Sequence, residues 1–220
     1  MAHLGRIQHQ RYQWKKLKGK MTKEDLLLLV DWSENYSCKY IEVQSVHFGG
    51  SHQELSLHTG MVAKQGYDET FCTIPDCKKH GPLAIFSHLK PILARHVTGE
   101  TSRLHFMSDS PSSQYRSKTM FYVICKLLGR LYPHIKAIEW NYSKSGHGKN
   151  VADGSGANVK SKLDRLVAHG TDCENFEKAV TALQNENLKT YIHAVSEKEI
   201  LDLEKENPIP KLQSFKGTSH

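Results

Sequence analysis

Leu104-His105-Phe106-Met107-Ser108-Asp109, followed by Ser110-Pro111-Ser112-Ser113-Gln114-Tyr115, is the stretch on which the reading of this chain turns. A short run carrying apolar residues ends in a carboxylate, and a long helical pattern begins after the Pro, Ser and Gln. That is the pattern of a strand delivering an acid to its C-terminal end, where open sheets place their chemistry. Two other stretches carry an acid in a comparable place. Leu26-Leu27-Leu28-Leu29-Val30 is an unbroken apolar run closed by Asp31, as expected of a central strand buried on both faces. His147-Gly148-Lys149-Asn150-Val151-Ala152-Asp153-Gly154 sets Asp153 in a glycine-bearing lead-in to a helix.

Working outward, the periodicities predict a mixed order. Tyr40 to Phe48 and Leu55 to Ala63 alternate as strands, and with Leu26 to Val30 they form an antiparallel meander. Thr70 to Ile74 is a further short strand. Pro82 to Val97 is helical by spacing, with a kink or break expected at Pro91. Ser112 to Tyr132 is the strongest helix, with Met120, Ile124, Leu127, Leu128 and Leu131 on one face. Ile135 to Tyr142 is a strand, in which Trp140 and Tyr142, like Trp32 earlier, read as core residues. The helix opened by Asp153 places Val159, Leu163, Leu166 and Val167 on one face and ends at Gly170. Phe176, Val180 and Leu183 mark a helix, Lys189 to Val195 a strand, and Ser196 with Glu199 a capping box for a last helix. The expected fold is α/β, a mixed five-stranded sheet with helices on both faces and a small C-terminal α/β appendage. The expected divisions are a basic arm or linker over 1–21, the main domain over 22–170, the appendage over 171–207 and a loose tail over 208–220.

The 220 residues carry a formal charge of +7 and a pI near 9.1, with fourteen His in addition. That balance favours an anionic partner, nucleic acid or a membrane surface. No apolar run is long enough for a membrane-spanning helix, so no membrane insertion is expected. Five scattered Cys imply a reducing intracellular compartment and no disulfide framework. Residues 1–20 hold Arg6, Arg11, Lys15, Lys16, Lys18 and Lys20, no acid, and interleaved Tyr12, Trp14 and Leu17. This segment reads either as an arm on a phosphate backbone or as a solvated linker.

Asp31, Asp109 and Asp153 at three element ends suggest one cluster. Three nearby carboxylates repel unless a hard cation lies between them, and all-oxygen ligands suit Mg2+ or Mn2+. Two such ions about 4 Å apart activate a water or 3′-hydroxyl and stabilise the leaving oxygen in phosphodiester chemistry. Asp153 is the third acid, with Glu34 and Glu139 as alternatives. His147 is a candidate ligand or proton shuttle. Lys149, Arg116, Lys118 and Lys160 are candidate nucleic-acid contacts. Cys72, Cys77 and His80 form a looser C-x4-C-x2-H pattern, which binds zinc only if His47, His52 or His58 supplies a fourth ligand.

Four motifs then occur in one order: Asp31-Trp32-Ser33-Glu34-Asn35-Tyr36, Gln44-Ser45-Val46-His47-Phe48, Ser108-Asp109-Ser110-Pro111-Ser112-Ser113-Gln114-Tyr115, and Ser145-Gly146-His147-Gly148-Lys149-Asn150-Val151-Ala152-Asp153-Gly154-Ser155-Gly156-Ala157. Over roughly residues 22–170 the chain resembles the ribonuclease H-like catalytic domain of DDE/D transposases, of the kind found in eukaryotic transposon-derived proteins. Ser110, Asn150 and Ala157 stand where that pattern has Gly. The resemblance implies metal-dependent hydrolysis of DNA at transposon ends and strand transfer, two metal ions, DNA ends and target as partners, a homodimer or larger assembly, and a nuclear location. It equally accommodates a domesticated, inactive DNA- or protein-binding module, or a ribonuclease H-like nuclease.

Overall fold

The computed structural model describes residues 12, 14–39, 53–109, 114–143 and 151–213, apart from the side chain of Glu34. The apolar run grows into a central strand, β1 (Asp25–Ser37). Leu26, Leu28 and Val30 are buried on one face, Leu27 and Leu29 on the other, so no position in the run tolerates a polar residue. The strand does not stop at Asp31. Its partner β2 (Glu54–Lys64) pairs with it as far as Ser37↔Glu54, which leaves Asp31 inside the strand, opposite Thr59. One extra residue on β1 between Ser33 and Tyr36 makes a bulge and reverses the facing of the side chains beyond it.

β3 (Tyr67–Pro75) completes the antiparallel meander. The third meander strand is thus the segment expected only as an extra short strand, and the strand predicted over 40–48 lies outside the described residues. On the other side of β1, β4 (Arg103–Ser108) and β5 (Ala137–Tyr142) add in parallel. An antiparallel meander with two parallel strands beside its first strand is the ribonuclease H-like arrangement. β6 (Thr190–Val195) extends it, pairing in parallel with β3 to give the order β5-β4-β1-β2-β3-β6. The strand expected in an appendage therefore belongs to the main sheet, where Tyr191 and Ile192 pack against the two large apolar clusters.

Helices cover both faces. α1 (residues 14–20) sets Trp14 and Leu17, both partly buried, against Leu27, Leu29 and Met107, so these two residues anchor the basic segment to the sheet. α2 (Pro82–His96) passes through Pro91 without a break, because Leu83, Phe86 and Leu89 before it and Ile92 and Leu93 after it are all buried. α3 (Lys118–Leu131) starts later than its pattern suggested: Ser117 is its cap, its Oγ accepting from the Met120 N–H at 3.0 Å. Leu131, in the last turn, is 43% exposed and not part of the buried face. α4 (Val151–Ala168) buries Val159, Leu163 and Val167 against the opposite face of the sheet and terminates before Gly170, whose φ of 96° suits only glycine. α5 (Phe176–Gln184) follows, and α6 (Glu197–Glu206) opens with the predicted Ser196–Glu199 capping box. No helix among the described residues is long and apolar enough to cross a membrane.

Candidate active site

The parallel register of β1 and β4 places two of the predicted acids side by side. Asp25 pairs with Arg103 and Leu29 with Met107. The same register carried two residues further sets Asp31 level with Asp109, the residue just past β4. Asp153 comes from the first turn of α4, the helix packed across β1 and β2. Gly156, one turn further on, makes that approach possible: a Cβ there would lie 2.5 Å from Ser33 Oγ and 2.8 Å from Ser33 Cβ. The glycine serves contact between helix and strand, while Gly154 faces open space.

These acids act on one another. Burial, then the charges of Asp109 and Asp153, push the Asp31 carboxyl up to about 7. Burial and the charge of Asp153 also raise Asp109. Among the described residues no cationic side chain counters either shift, and none hydrogen-bonds to the buried Asp109 Oδ1. A desolvated, like-charged set of oxygens is the environment a hard divalent cation relieves. The donor chemistry therefore fits Mg2+ or Mn2+. The grouping is looser than a finished site: among the described residues no three His, Cys, Asp or Glu side chains gather closely enough to hold a metal ion.

Two residues of the third motif, Ser108 and Tyr115, had no role assigned from the sequence and carry hydrogen bonds on either side of Asp109. On the β5 side, Ser108 Oγ accepts from Trp140 Nε1 at 3.0 Å and donates to the Asp109 carbonyl at 2.8 Å. The Ser108 carbonyl in turn accepts from the Ser143 N–H at 2.8 Å. On the β2 side is Tyr115, wholly buried, whose hydroxyl lies 2.8 Å from His58 Nε2. Burial, then the charges of Asp31 and Asp109, raise the Tyr115 phenol well above its ordinary value, so it stays protonated. Burial pushes His58 down to about 3, so it stays neutral. Trp32 stacks among His58, His80 and His88 on the same face, a core role as expected. His58 falls on the polar positions of the β2 alternation with Ser56 and Gly60, so the sequence pattern placed it toward solvent, whereas both faces of β2 are buried.

The remaining predicted residues divide. His147 and Lys149 lie outside the described residues. Glu139 is not near the acids: it pairs with His105, level with Leu27, and hydrogen-bonds to His105 Nδ1 at 3.0 Å. Four residues of strand, about 13 Å, separate that level from Asp31. The backbone of Glu34 sits at the β1 bulge. Arg116 is exposed over the Tyr142 ring, 5.9 Å from its centroid. Lys118 donates to the Leu212 carbonyl at 2.6 Å, and Lys160 is half-buried on α4. The zinc pattern does not assemble. Cys72 is buried with Tyr36 and Leu57, Cys77 packs near Val195 and Ile200, and His80 stacks on Trp32. Strand alternation and the turn after Pro75 send the three side chains to different surroundings.

A family model described as "Domain of unknown function (DUF8701)" matches residues 10–218. No curated protein matches the chain in sequence. Solved structures that align with the chain include the human cytomegalovirus terminase nuclease domain, at 8% identity over 89% of this chain and 78% of that one, with a TM-score of 0.32. The Mos1 strand transfer complex aligns at 14% identity over 91% and 56%, TM-score 0.34. The mariner Mos1 paired end complex with Mg aligns at 12% identity over 77% and 60%, TM-score 0.26. This chain thus spans little more than half the length of the Mos1 chains. The fold assignment stands on the strand order itself.

Proposed function

We propose that this chain, which belongs to the DUF8701 family, is a divalent-cation-dependent phosphodiester-cleaving enzyme on a ribonuclease H-like fold. The observation that carries the reading is the pair Asp31 and Asp109, level on adjacent parallel strands, both raised by burial and by the charge of Asp153. Asp31 and Asp109 would hold the ions and Asp153 would complete the set. When bound, Mg2+ or Mn2+ supplies an activated water or hydroxyl and charge stabilisation for the leaving oxygen. The chain's own part is to hold the oxygens in place and keep them partly dry, which strengthens their pull on a cation.

The narrower reading is a DDD-type transposase core acting as a dimer on transposon ends. It is supported by the four motifs in order, and a strand-transfer product would separate it from a simple nuclease. A second reading, a domesticated DNA- or protein-binding module, is favoured by the absence of a gathered three-ligand cluster among the described residues. Calorimetry with Mn2+ on the native chain and on Asp109→Asn tests the choice, together with cleavage of labelled DNA. Metal binding and cleavage in the native chain, both lost in the variant, would establish the enzyme. DNA binding without either would establish the module.

A further inference from the structure

The segment that follows Asp109 ends in a residue with an unusual set of attachments. Tyr115 is fully buried although it lies between a strand and a helix rather than inside either. Its ring joins the apolar cluster formed by α2, α3 and the sheet. Its hydroxyl meets His58 Nε2 of β2 at 2.8 Å, and its carbonyl accepts from the Tyr142 hydroxyl of β5 at 3.1 Å. β2 and β5 are not neighbours: β1 and β4, the two strands that lead into the acids, run between them. Tyr115 therefore spans the sheet beneath the acid-bearing ends. It is only six residues from Asp109, and its phenol is close enough to feel the charges of both Asp31 and Asp109.

The attachments go deeper. Thr73 Oγ1 of β3 lies 3.2 Å from the His58 carbonyl oxygen and 2.7 Å from His88 Nδ1 of α2. His58 is thus braced against β3 and α2, and its ring is wholly buried, so it offers Tyr115 a fixed partner and not a mobile one. A tyrosine needed only for bulk would not require this partner, since phenylalanine fills the same space. Burying a phenol and an imidazole together is worthwhile only when each satisfies the other. The two ties fix Tyr115 between His58, which pairs with the residue after Asp31, and Tyr142, which pairs with the residue before Asp109. An error of about 1 Å in an acid so flanked costs orders of magnitude in catalysis.

We propose that the Tyr115 hydroxyl, tied to His58, is the positioning device that presents Asp109 to Asp31. This rests on the reading of the acids as a cation site, and Tyr115 is a positioning residue, not a catalytic one. The test compares Tyr115→Phe with Asp109→Asn and with Tyr132→Phe, a tyrosine elsewhere in the same cluster. Two readouts are taken: Mn2+ dependence of cleavage, and hydrogen exchange at Gln114–Ser117 in the metal-free protein. Tyr115→Phe should melt within a few degrees of the native chain and raise the Mn2+ concentration for half-maximal cleavage about tenfold. Its kcat should be recovered at saturating Mn2+, and exchange at Gln114–Ser117 should be faster. Tyr132→Phe should change neither readout. Native Mn2+ dependence in Tyr115→Phe, alongside loss in Asp109→Asn, would overturn the proposal. If the native chain neither binds Mn2+ nor cleaves, the enzyme reading fails, and unchanged exchange in Tyr115→Phe would then overturn the tether separately.

Discussion

β1 and β4 run side by side, and the two ends of that pair treat buried acid in opposite ways. At the start, Asp25 is nearly buried and fully partnered. Arg103 Nε and Nη2 donate to its two oxygens at 2.6 and 2.9 Å, His105 Nε2 lies 3.0 Å away, and the Thr22 N–H and hydroxyl donate at 2.8 Å each. The Arg103 guanidinium, helped by Thr22 and His105, holds the Asp25 carboxyl far below its ordinary range. Six residues along β1, about 20 Å away, Asp31 has two further acids as company and is pushed up to about 7. The same two strands hold both sites in one register. The difference teaches that a buried acid is stabilising or costly according to its partners, not its depth. A buried acid raised by like-charged neighbours marks a place kept for something other than stability.

The comparison can be broken at either end, and the largest expected effect is functional. Asp109→Asn should lower Mn2+-dependent cleavage by at least about a hundredfold, since losing a ligand costs more than losing its supporting partners. Its folding should be unchanged or improved, which thermal denaturation checks alongside the cleavage assay. Equal cleavage by native and variant chains would remove the functional meaning of the far end. At the near end, Asp25→Ala should cost about 3 kcal/mol, because Arg103 and His105 lose the charge they were built around. Urea denaturation at pH 7 measures this, and a loss near zero would show the network to be ornamental.

The signs with pH should also be opposite. Asp25 has its folded value depressed, so its contribution is present above 3.8 and is lost as pH falls below that value. Asp31 has its folded value raised from 3.8 to about 7, so the folded form binds the proton more tightly. Its stability cost is absent below pH 4, grows between 4 and 7, and is complete above 7. Asp31→Asn should therefore stabilise the metal-free chain by up to about 4 kcal/mol at pH 8 and by almost nothing at pH 4. A gain of equal size at both pH values would contradict the raised carboxyl. The smallest expected effect comes from Gly156→Ala. Its Cβ would press on Ser33 and lift the start of α4 away from β1, at about 1–2 kcal/mol. Weakened Mn2+ dependence beyond that loss would tie Asp153 to the cluster, and unaltered dependence would separate it.

Much of the frame was legible in order along the chain. The apolar run of β1, the alternation of β2 and the helical stripes of α2, α3 and α4 each carry one period that local physics reads directly. Asp109 announced itself by following a strand and preceding a helix. Tyr115 closed the third motif, but its burial did not show, because nothing local distinguishes a buried tyrosine in a Ser- and Pro-bearing segment from an exposed one. Pro91 misled in the other direction: a missing N–H weakens a helix, but apolar burial on both sides of it holds the two halves together. The zinc spacing failed because residues five and three apart near a strand end point to different places.

Apolar strands carrying acids, in order with amphipathic helices, were legible locally, because hydrophobic period and turn chemistry act over a few residues. Register and long-range packing settled that Asp31 and Asp109 stand level, that the first turn of α4, which carries Asp153, packs toward β1 at Gly156, and that β6 closes onto β3 as a sixth strand. Those facts depend on register and on pairings between segments distant in sequence. Their energies come from contacts that no local window contains.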